Sequence, residues 1–323
     1  MANKFFFKNN KAIEIKRILI IKLDEIGDMA TSTHVFESLK KSYPNAHISV
    51  LCKSFVKTML QYDPYIDELI TEKETNYSSY QLIVELRGNW NTLLKSILSK
   101  AQIRLSRAEV RFKNKGNQLH EVETNFEIIK PVLDKNILVT KPKLYFSDKE
   151  NHVVDDFLKV NNINKYAIFH IGARKKLRQW PIDRFALIAD FMFQKNISVV
   201  FVGTKDDEEE IMKARELMKC QSYSFTSHPD LSVLSALCSK AFFYIGNESG
   251  PLHVAACFDV PIIGLYGPGV PNVFYPYSKN AHVLHHVLKC NPCDQIHCVE
   301  PNNICINRIE VVDVMNLIES LLV

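Results

Sequence analysis

The sequence predicts an α/β protein made of two consecutive doubly wound domains, each built on a parallel sheet. Short β-branched runs, such as RILIIK at 17–22, alternate with segments of helical spacing, which is typical of buried parallel strands joined by helical crossovers. This alternation is interrupted at 135–150 and resumes with YAIFHI at 166–171. The 323 residues leave room for two domains of ordinary size.

Apolar runs that are flanked by polar residues predict where the strands lie. These runs lie at 17–22, 47–52, 67–70, 81–86, 102–106, 166–171, 197–202, 241–246 and 261–267. LYFSDKE at 144–150 predicts a further strand, and the Ser-x-x-Glu spacing of Ser147 and Glu150 predicts a helix start. The last twelve residues predict a helix. We therefore expect a first domain at 1–155 and a second at 156–323.

The composition excludes several classes of protein. Hydrophobic residues make up 46% and charged residues 24% of the chain, as in ordinary globular proteins. No apolar run approaches the roughly 18 residues of a membrane span, and the first residues lack a signal-peptide core, so we expect a cytoplasmic location. The G-x-G-x-x-G, P-loop and G-x-S-x-G patterns are also missing from the sequence. A conventional dinucleotide enzyme, a P-loop hydrolase and an esterase are therefore not expected.

Positive charge is concentrated in the first half of the chain. Residues 1–150 carry 24 Lys and Arg against 18 Asp and Glu. Six cations lie within sixteen residues, opposed only by one glutamate: Lys100, Arg104, Arg107, Arg111, Lys113 and Lys115, with Glu109. Such a patch suits an anionic partner or a membrane surface, and a solvated protein surface is the alternative. No nucleic-acid motif accompanies the patch, so we expect no nucleic-acid partner.

The loops that follow the strands carry the candidate site, because ligands of doubly wound sheets bind where the strands end. The loop after 17–22 contains Gly27, which permits a tight turn, and Asp28, which begins a helix. Asp28 is a candidate general base, and an ordinary helix cap is the alternative.

The loop after 166–171 is a candidate anion site. Gly172 and Ala173 are followed by four cations within Arg174–Arg178, and then by Pro181 at a helix start. Cations next to helix N-terminal N–H groups favour phosphate, whereas a solvated charge run is the alternative.

A second candidate anion site follows the strand at 241–246. Ser249, Gly250 and Pro251 open a helix whose backbone N–H groups can face a phosphate. Glu248 can accept hydrogen bonds from sugar hydroxyls. His253 is a candidate ligand contact, and a core histidine is the alternative.

The eight cysteines fall into two groups. Four are scattered among apolar residues and predict buried free thiols: Cys52, Cys220, Cys238 and Cys257. The other four lie within sixteen residues: Cys290, Cys293, Cys298 and Cys305. Their spacing can close a tetrahedral thiolate site for structural zinc or iron, and reduced thiols that pack a small loop at 290–305 are the alternative.

Three segments together resemble a known family. They are ILIIKLDEIGDMATSTHVFESLKKSYPNAHISVL, HIGARKKLRQWPIDRF and IGNESGPLHVAACFDVPIIGLYGP, in this order between about residues 17 and 268. Each resembles a segment of the bacterial lipopolysaccharide heptosyltransferases, glycosyltransferase family 9. The resemblance implies a GT-B architecture, in which two Rossmann-like domains face a cleft. The N-terminal domain would take the acceptor and the C-terminal domain an ADP-sugar.

The resemblance also implies roles for individual residues. Asp28 matches the family's catalytic base, and Gly250 and His253 match directly. Arg178 stands where the family usually has lysine and would stabilise the leaving phosphate, so it is the second catalytic candidate. Glu248 replaces a more usual aspartate. The implied donor-binding set is Gly172, Ala173, Arg174, Arg178, Asp207, Glu248, Ser249, Gly250, Pro251 and His253, and the expected acceptor contacts are Gly27, Arg104, Arg107 and Arg111.

The implied reaction is an inverting transfer of heptose from ADP-heptose to an anionic lipopolysaccharide core or lipid A acceptor. It would need no catalytic metal, and the enzyme would work as a peripheral protein at the inner face of the inner membrane. Two alternatives keep the fold: a hexose or N-acetylhexosamine donor, and a protein acceptor. A non-catalytic protein that binds sugar nucleotides is the alternative of another class.

Overall fold

The computed structural model describes residues 14–113, 119–226, 230–301 and 304–322, without the side chains of 111–113. Contacts divide the chain into two compact units. Unit 1 comprises Met1–Glu25 and Ser32–Thr140, and unit 2 comprises Ile26–Thr31 and Lys141–Val323. Residues 26–31 therefore belong with the second unit, although they lie early in the sequence.

The elements follow one another as strand and helix in both units. The strands are β1 (Arg17–Lys22), β2 (His47–Cys52), β3 (Glu68–Ile70), β4 (Leu82–Arg87), β5 (Ile103–Ser106), β6 (Tyr166–His170), β7 (Ser198–Val202), β8 (Ser222–Phe225), β9 (Phe243–Asn247), β10 (Ile262–Tyr266) and β11 (Ala281–His285). The helices are α1 (Ile26–Ala30), α2 (His34–Ser42), α3 (Lys57–Leu60), α4 (Trp90–Leu98), α5 (Arg107–Lys113), α6 (Glu121–Ile129), α7 (Asp148–Val160), α8 (Ile182–Gln194), α9 (Glu208–Leu217), α10 (Leu231–Lys240), α11 (Gly250–Ala255), α12 (Pro271–Phe274) and α13 (Val311–Leu322).

Each unit has a parallel sheet of its own. The sheet of unit 1 has the order β3-β2-β1-β4-β5, and that of unit 2 has the order β11-β10-β9-β6-β7-β8. In both sheets the first strand lies inside, and later strands are added on either side of it. The apolar runs form these strands because both faces are covered, and β1, β6 and β10 are buried along almost their whole length.

The predicted fold class is confirmed, since both units are doubly wound α/β layers. Two strands that sequence reasoning missed, β8 and β11, lie at the edges of the unit 2 sheet. Their residues are more polar and only partly buried, so they lack the apolar run that marks an inner strand.

One predicted strand is wrong, and the domain boundary differs from the expected one. Residues 144–147 join no sheet, and Ser147 instead caps α7 through a capping box with Glu150, as its spacing predicted. The expected boundary at 155/156 falls inside α7, which packs on α10. Contacts divide the chain between Thr140 and Lys141 instead. The assignment of acceptor and donor to the two parts stays a prediction.

Candidate active site

The predicted donor residues of unit 2 lie at the point where its sheet changes direction. The chain runs from β6 outward through β7 and β8 on one side, and through β9, β10 and β11 on the other. The loops after the neighbouring strands β6 and β9 therefore leave the sheet side by side, which creates the crevice where doubly wound sheets bind ligands. Two of the loops selected from the sequence are these two loops.

A buried amide joins the two loops. Asn247, the last residue of β9, is fully buried. Its Oδ1 accepts the backbone N–H of Trp180 at 3.0 Å, and its Nδ2 donates to the carbonyl of Ile171 at 2.7 Å. Trp180 in turn donates its indole N–H to the carbonyl of Ile309 at 2.9 Å. Sequence reasoning placed Asn247 in this loop but gave it no role, although a polar residue at the end of a buried strand was a usable signal.

The cation Arg178 is held from two sides. Its Nη1 lies 3.3 Å from Oε1 of Glu248, and its Nε donates to Oε1 of Gln295 at 2.7 Å. Its Nη2 donates no hydrogen bond within the described part of the chain. The two residues that depart from the resemblance, arginine for lysine and glutamate for aspartate, thus contact each other. One N–H-bearing edge of the guanidinium stays available for an anion.

Glu248 carries a buried carboxylate with one oxygen unused. The residue is 4% exposed, and no described residue donates a hydrogen bond to its Oε2. Burial raises the pKa of this carboxyl group, and the nearby Arg178 partly opposes that shift. A buried oxygen without a donor is costly, so a ligand hydroxyl that donates to it would be favoured.

His170 ends β6 next to Ser249. Its Nδ1 lies 3.0 Å from the Ser249 Oγ, which is also 3.1 Å from the carbonyl of Asn247. Burial lowers the pKa of His170 to about 4, although Asp207 opposes the shift. The imidazole is therefore neutral at pH 7 and serves as a hydrogen-bonding group.

Asp207 and Gly172 approach each other closely. The Asp207 carboxylate accepts the N–H of Thr204 at 2.8 Å and its hydroxyl at 3.0 Å. A Cβ atom on Gly172 would come within 2.3 Å of Oδ1 of Asp207, so a larger residue there would displace the Asp207 carboxylate. In the same loop the Ala173 carbonyl accepts from Gln179, and Arg174 is exposed. The predicted contact of Asp207 with the donor stays a prediction.

The candidate base Asp28 lies on α1, which packs against α11 within unit 2. A Cβ on Gly27 would come within 2.8 Å of the His253 Cδ2, and one on Gly250 within 3.1 Å of the Ile26 Cβ. The glycines therefore let the two short helices touch. Asp28, which is half-buried, therefore lies on a helix that packs against the one carrying Gly250, Pro251 and His253.

Unit 1 has a buried ion network where β1 ends. Lys22 is fully buried and lies 2.9 Å from Asp24 and 3.4 Å from Glu121. Arg87, at the end of the neighbouring strand β4, pairs with Asp24 at 3.1 Å. Arg107 forms a bidentate pair with Glu121. Burial raises the pKa of Glu121, but Arg107 and Lys22 outweigh burial and leave this pKa lowered.

The expected acceptor cations lie in or after β5. Arg107 is engaged by Glu121, and Arg104 donates to the carbonyl of Ala101 at 3.2 Å. The backbone of Arg111 lies in α5, and its side chain is outside the described set. Acceptor binding by these residues and by Gly27 stays a prediction.

The four clustered cysteines line one small cavity, but in the described part of the chain they do not converge as metal ligands. Cys290, Cys293, Cys298 and Cys305 all line a cavity of about 30 Å³. Within 14–113, 119–226, 230–301 and 304–322, no three Cys, His, Asp or Glu side chains converge as metal ligands. Burial raises the pKa of Cys305, which does not favour its thiolate. The present side-chain arrangement thus does not fit zinc or iron, and structural metal stays a prediction.

The cysteine loop reaches the candidate site through Gln295. This residue has a positive φ of 62°, and its N–H donates to the Cys293 Sγ at 3.3 Å. Gln295 then accepts from Arg178, as described above. Sequence reasoning noted the loop for its cysteines and missed this contact, which no local pattern marks.

Comparison with known proteins identifies the family. Residues 99–304, more than half of the chain, match Glycosyltransferase family 9 (heptosyltransferase). Lipopolysaccharide heptosyltransferase 3 of Escherichia coli is 25% identical over 291 residues, which cover 79% of this chain and 84% of that protein. Lipooligosaccharide heptosyltransferase 2 of Campylobacter jejuni is 24% identical over 312 residues, which cover 92% and 95%.

Solved structures share the fold. The crystal structure of the glycosyl transferase family 9 from Veillonella parvula has a TM-score of 0.82 and 23% identity, and the match covers 97% of this chain and 99% of that one. The E. coli heptosyltransferase WaaC with ADP-2-deoxy-2-fluoro heptose has a TM-score of 0.68 and 16% identity, with 94% and 99% covered. The resemblance drawn from the three segments is confirmed: the chain belongs to glycosyltransferase family 9 (heptosyltransferase) and is a glycosyltransferase.

Proposed function

We propose that this glycosyltransferase moves a heptose from an ADP-linked donor to the core of lipopolysaccharide. Two curated relatives are named as heptosyltransferases of lipopolysaccharide or lipooligosaccharide, and a structural neighbour was solved with an ADP-heptose analogue. The observation that carries the proposal is the contact of Arg178 with Glu248 at the switch point of unit 2. This contact places a cation that can pair with a diphosphate next to a carboxylate that can accept a hydrogen bond from a sugar hydroxyl.

In this proposal the donor lies across the loops after β6 and β9. The free edge of the Arg178 guanidinium faces the diphosphate, and the unused Oε2 of Glu248 accepts from a donor hydroxyl. As the bond from the anomeric carbon to the diphosphate breaks, negative charge develops on the leaving phosphate, where Arg178 stabilises it. The anomeric carbon then has oxocarbenium character.

Asp28 acts as the general base. The acceptor hydroxyl forms its bond to the anomeric carbon, its proton passes to the Asp28 carboxylate, and ADP leaves with the bonding electron pair. Attack opposite the leaving group inverts the anomeric centre. The packing of α1 on α11 supports this role, because it holds Gly27, the neighbour of Asp28 in the chain, against Gly250 and His253. No catalytic metal enters this scheme.

The acceptor is proposed to be an anionic core or lipid A sugar at the inner face of the inner membrane. The basic residues of 100–115 support an anionic acceptor. Among the described residues, no helix is both long and apolar enough to cross a bilayer.

A panel of donors tests the substrate. Calorimetry with ADP-heptose, ADP-glucose, UDP-glucose and UDP-N-acetylglucosamine should give selective micromolar binding of ADP-heptose. Arg178→Gln should weaken that binding about tenfold or more, because it removes a charge-assisted contact. Lys213→Gln, an exposed cation on α9, is the matched control and should leave binding unchanged. Preference for a UDP-sugar would overturn the heptosyl assignment.

Replacing the proposed base tests the mechanism. Asp28→Asn keeps the size of the side chain but cannot accept the proton, so turnover should fall about 10²- to 10⁴-fold. Donor affinity by calorimetry and the unfolding temperature should stay near those of the unaltered protein. Near-normal turnover in a folded Asp28→Asn protein would exclude this base.

A further inference from the structure

Helix α4 of unit 1 exposes a face of large apolar residues, which a helix that packs on a core would bury. The large apolar residues Trp90, Leu94, Ile97 and Leu98 are 85%, 56%, 56% and 73% exposed. Their spacing of four, three and one residues puts them on one face. An apolar stripe at this spacing ordinarily faces the core, so its exposure calls for a partner.

The inner face of α4 is small, polar and fixed. Thr92 and Ser96 are buried, and the Thr92 hydroxyl donates to Oε1 of Glu85 on β4 at 3.0 Å. Asn89 caps the helix through a capping box with Thr92. These hydrogen bonds fix which face points inward, so the exposed stripe is a property of the folded unit.

The segment of the chain that carries the stripe is rich in basic residues. No acidic residue occurs between Glu85 and Glu109, whereas five basic ones do: Arg87, Lys95, Lys100, Arg104 and Arg107. Arg87 and Arg107 are paired with buried carboxylates, which leaves Lys95, Lys100 and Arg104 without a salt bridge among the described residues. Glu72, which accepts from Asn89, is the acid at the helix start.

We propose that the outer face of α4 docks shallowly into an anionic lipid surface. An exposed face with Trp90 and leucines, together with lysines in the same segment, is typical of a helix that lies in a membrane interface. Lysine is depleted at protein–protein interfaces, so a lipid headgroup layer fits this rim better than a second protein surface. The inference deepens the proposed function and rests on it in one respect, namely that the acceptor is attached to a lipid. The docking itself needs neither donor nor acceptor.

Tryptophan fluorescence tests the insertion directly. The chain has two tryptophans, and Trp180 is 1% exposed while Trp90 is 85% exposed. Vesicles of phosphatidylcholine with phosphatidylglycerol should therefore shift emission to shorter wavelength through Trp90, and brominated lipids should quench it. Vesicles of phosphatidylcholine alone should give a weaker response. No shift and no quenching with anionic vesicles would overturn the proposal.

Sedimentation with the same vesicles compares the binding of two pairs of substitutions with that of the unaltered protein. Trp90→Gln with Leu98→Gln should reduce the partition coefficient about tenfold or more, because two apolar side chains lose their burial in lipid. The control protein carries Leu138→Gln and Val160→Gln, which alter residues outside α4 that are 74% and 80% exposed. It should bind vesicles as the unaltered protein does. Equal loss in both pairs would contradict a role for α4.

Two further measurements separate this inference from its alternatives. If a second copy of the chain covers α4, light scattering will show a dimer that the Trp90→Gln, Leu98→Gln pair dissociates, and vesicles will have no effect; that result would overturn the proposal. Donor binding by calorimetry should be the same in both pairs of variants. Vesicle binding with no donor affinity would reject the proposed function alone, and donor affinity without vesicle binding would reject the α4 inference alone.

Discussion

The candidate site depends on a few polar side chains that are buried where the strands of unit 2 end. His170, Asn247 and Glu248 are each at most 6% exposed. Burial of a polar group is costly unless a partner compensates for it. Asn247 is compensated by two backbone groups, whereas Glu248 has one oxygen unused within the described structure. The compensated groups fix the loops, and the uncompensated oxygen is the one that we propose accepts a hydroxyl of the donor.

At the same scale, His170 should make stability depend on pH. Its folded pKa of about 4 lies below the ordinary value of 6.5, so the unfolded state binds the proton more tightly. Its contribution is therefore present above pH 6.5 and is lost as the pH falls towards 4. By pH 4.5 the loss should be about 2–3 kcal/mol in the free energy of unfolding.

Urea unfolding at pH 7, 5.5 and 4.5 measures this loss against His170→Asn, which cannot titrate. The unaltered protein should lose stability relative to the variant as the pH falls. A constant difference between the two proteins over this range would show that His170 is not held neutral.

At the scale of elements, two short helices carry the candidate residues Asp28, Gly250 and His253. α1 and α11 each have at most six residues and could not persist alone in water. They persist because each is packed, and the glycines at their contact allow the backbones to approach. An ordinary preference for alanine over glycine in helices is therefore outweighed here by packing.

Gly27→Ala tests this balance. Helix propensity alone would stabilise the protein by up to about 1 kcal/mol. The new Cβ would lie 2.8 Å from the buried His253 ring, and such overpacking costs about 1–3 kcal/mol, so we expect net destabilisation and reduced turnover. Asn316→Ala, at an exposed position of α13, is the control and should be neutral or slightly stabilising in urea unfolding. Stabilisation by Gly27→Ala would refute the close contact of α1 with α11.

At the scale of the molecule, each unit has its own core, and each sheet has its own point at which the strand order reverses. The core of unit 2 lies between β6, β7 and helices such as α8 and α13, and unit 1 has a separate apolar cluster around β1 and β4. The crevice of unit 2 holds the free edge of Arg178, whereas the crevice of unit 1 holds paired charges. This difference assigns the nucleotide to unit 2 in our proposal.

Hydrogen exchange measured by mass spectrometry tests that assignment. ADP should slow exchange in peptides covering 171–181 and 246–256, because binding removes opening motions of the loops it contacts. Peptides from β1–β5 should be unchanged. UDP should give less protection, and Arg178→Gln should remove most of the effect of ADP. Protection confined to unit 1 would reverse the assignment.

Much of the fold could be predicted because periodicity is a local property. The inner strands and the capping box at Ser147 were recognisable from spacing alone. The edge strands β8 and β11 were missed, since half-buried polar strands lack an apolar run. The strand expected at 144–150 failed because its apolar residues pack without a sheet, as Phe146 does on Phe258 with ring centroids 6.0 Å apart.

The sequence by itself determined the two α/β units, the three loops and the residue types from which a site could be built. The tertiary structure decided which of those residues meet: α1 joined to α11, Arg178 held between Glu248 and Gln295, and the apolar face of α4 turned outward. The physical reason is the range of the interactions. Hydrogen-bonded periodicity acts over a few residues, whereas burial and ion pairing depend on surfaces that only the folded chain brings together.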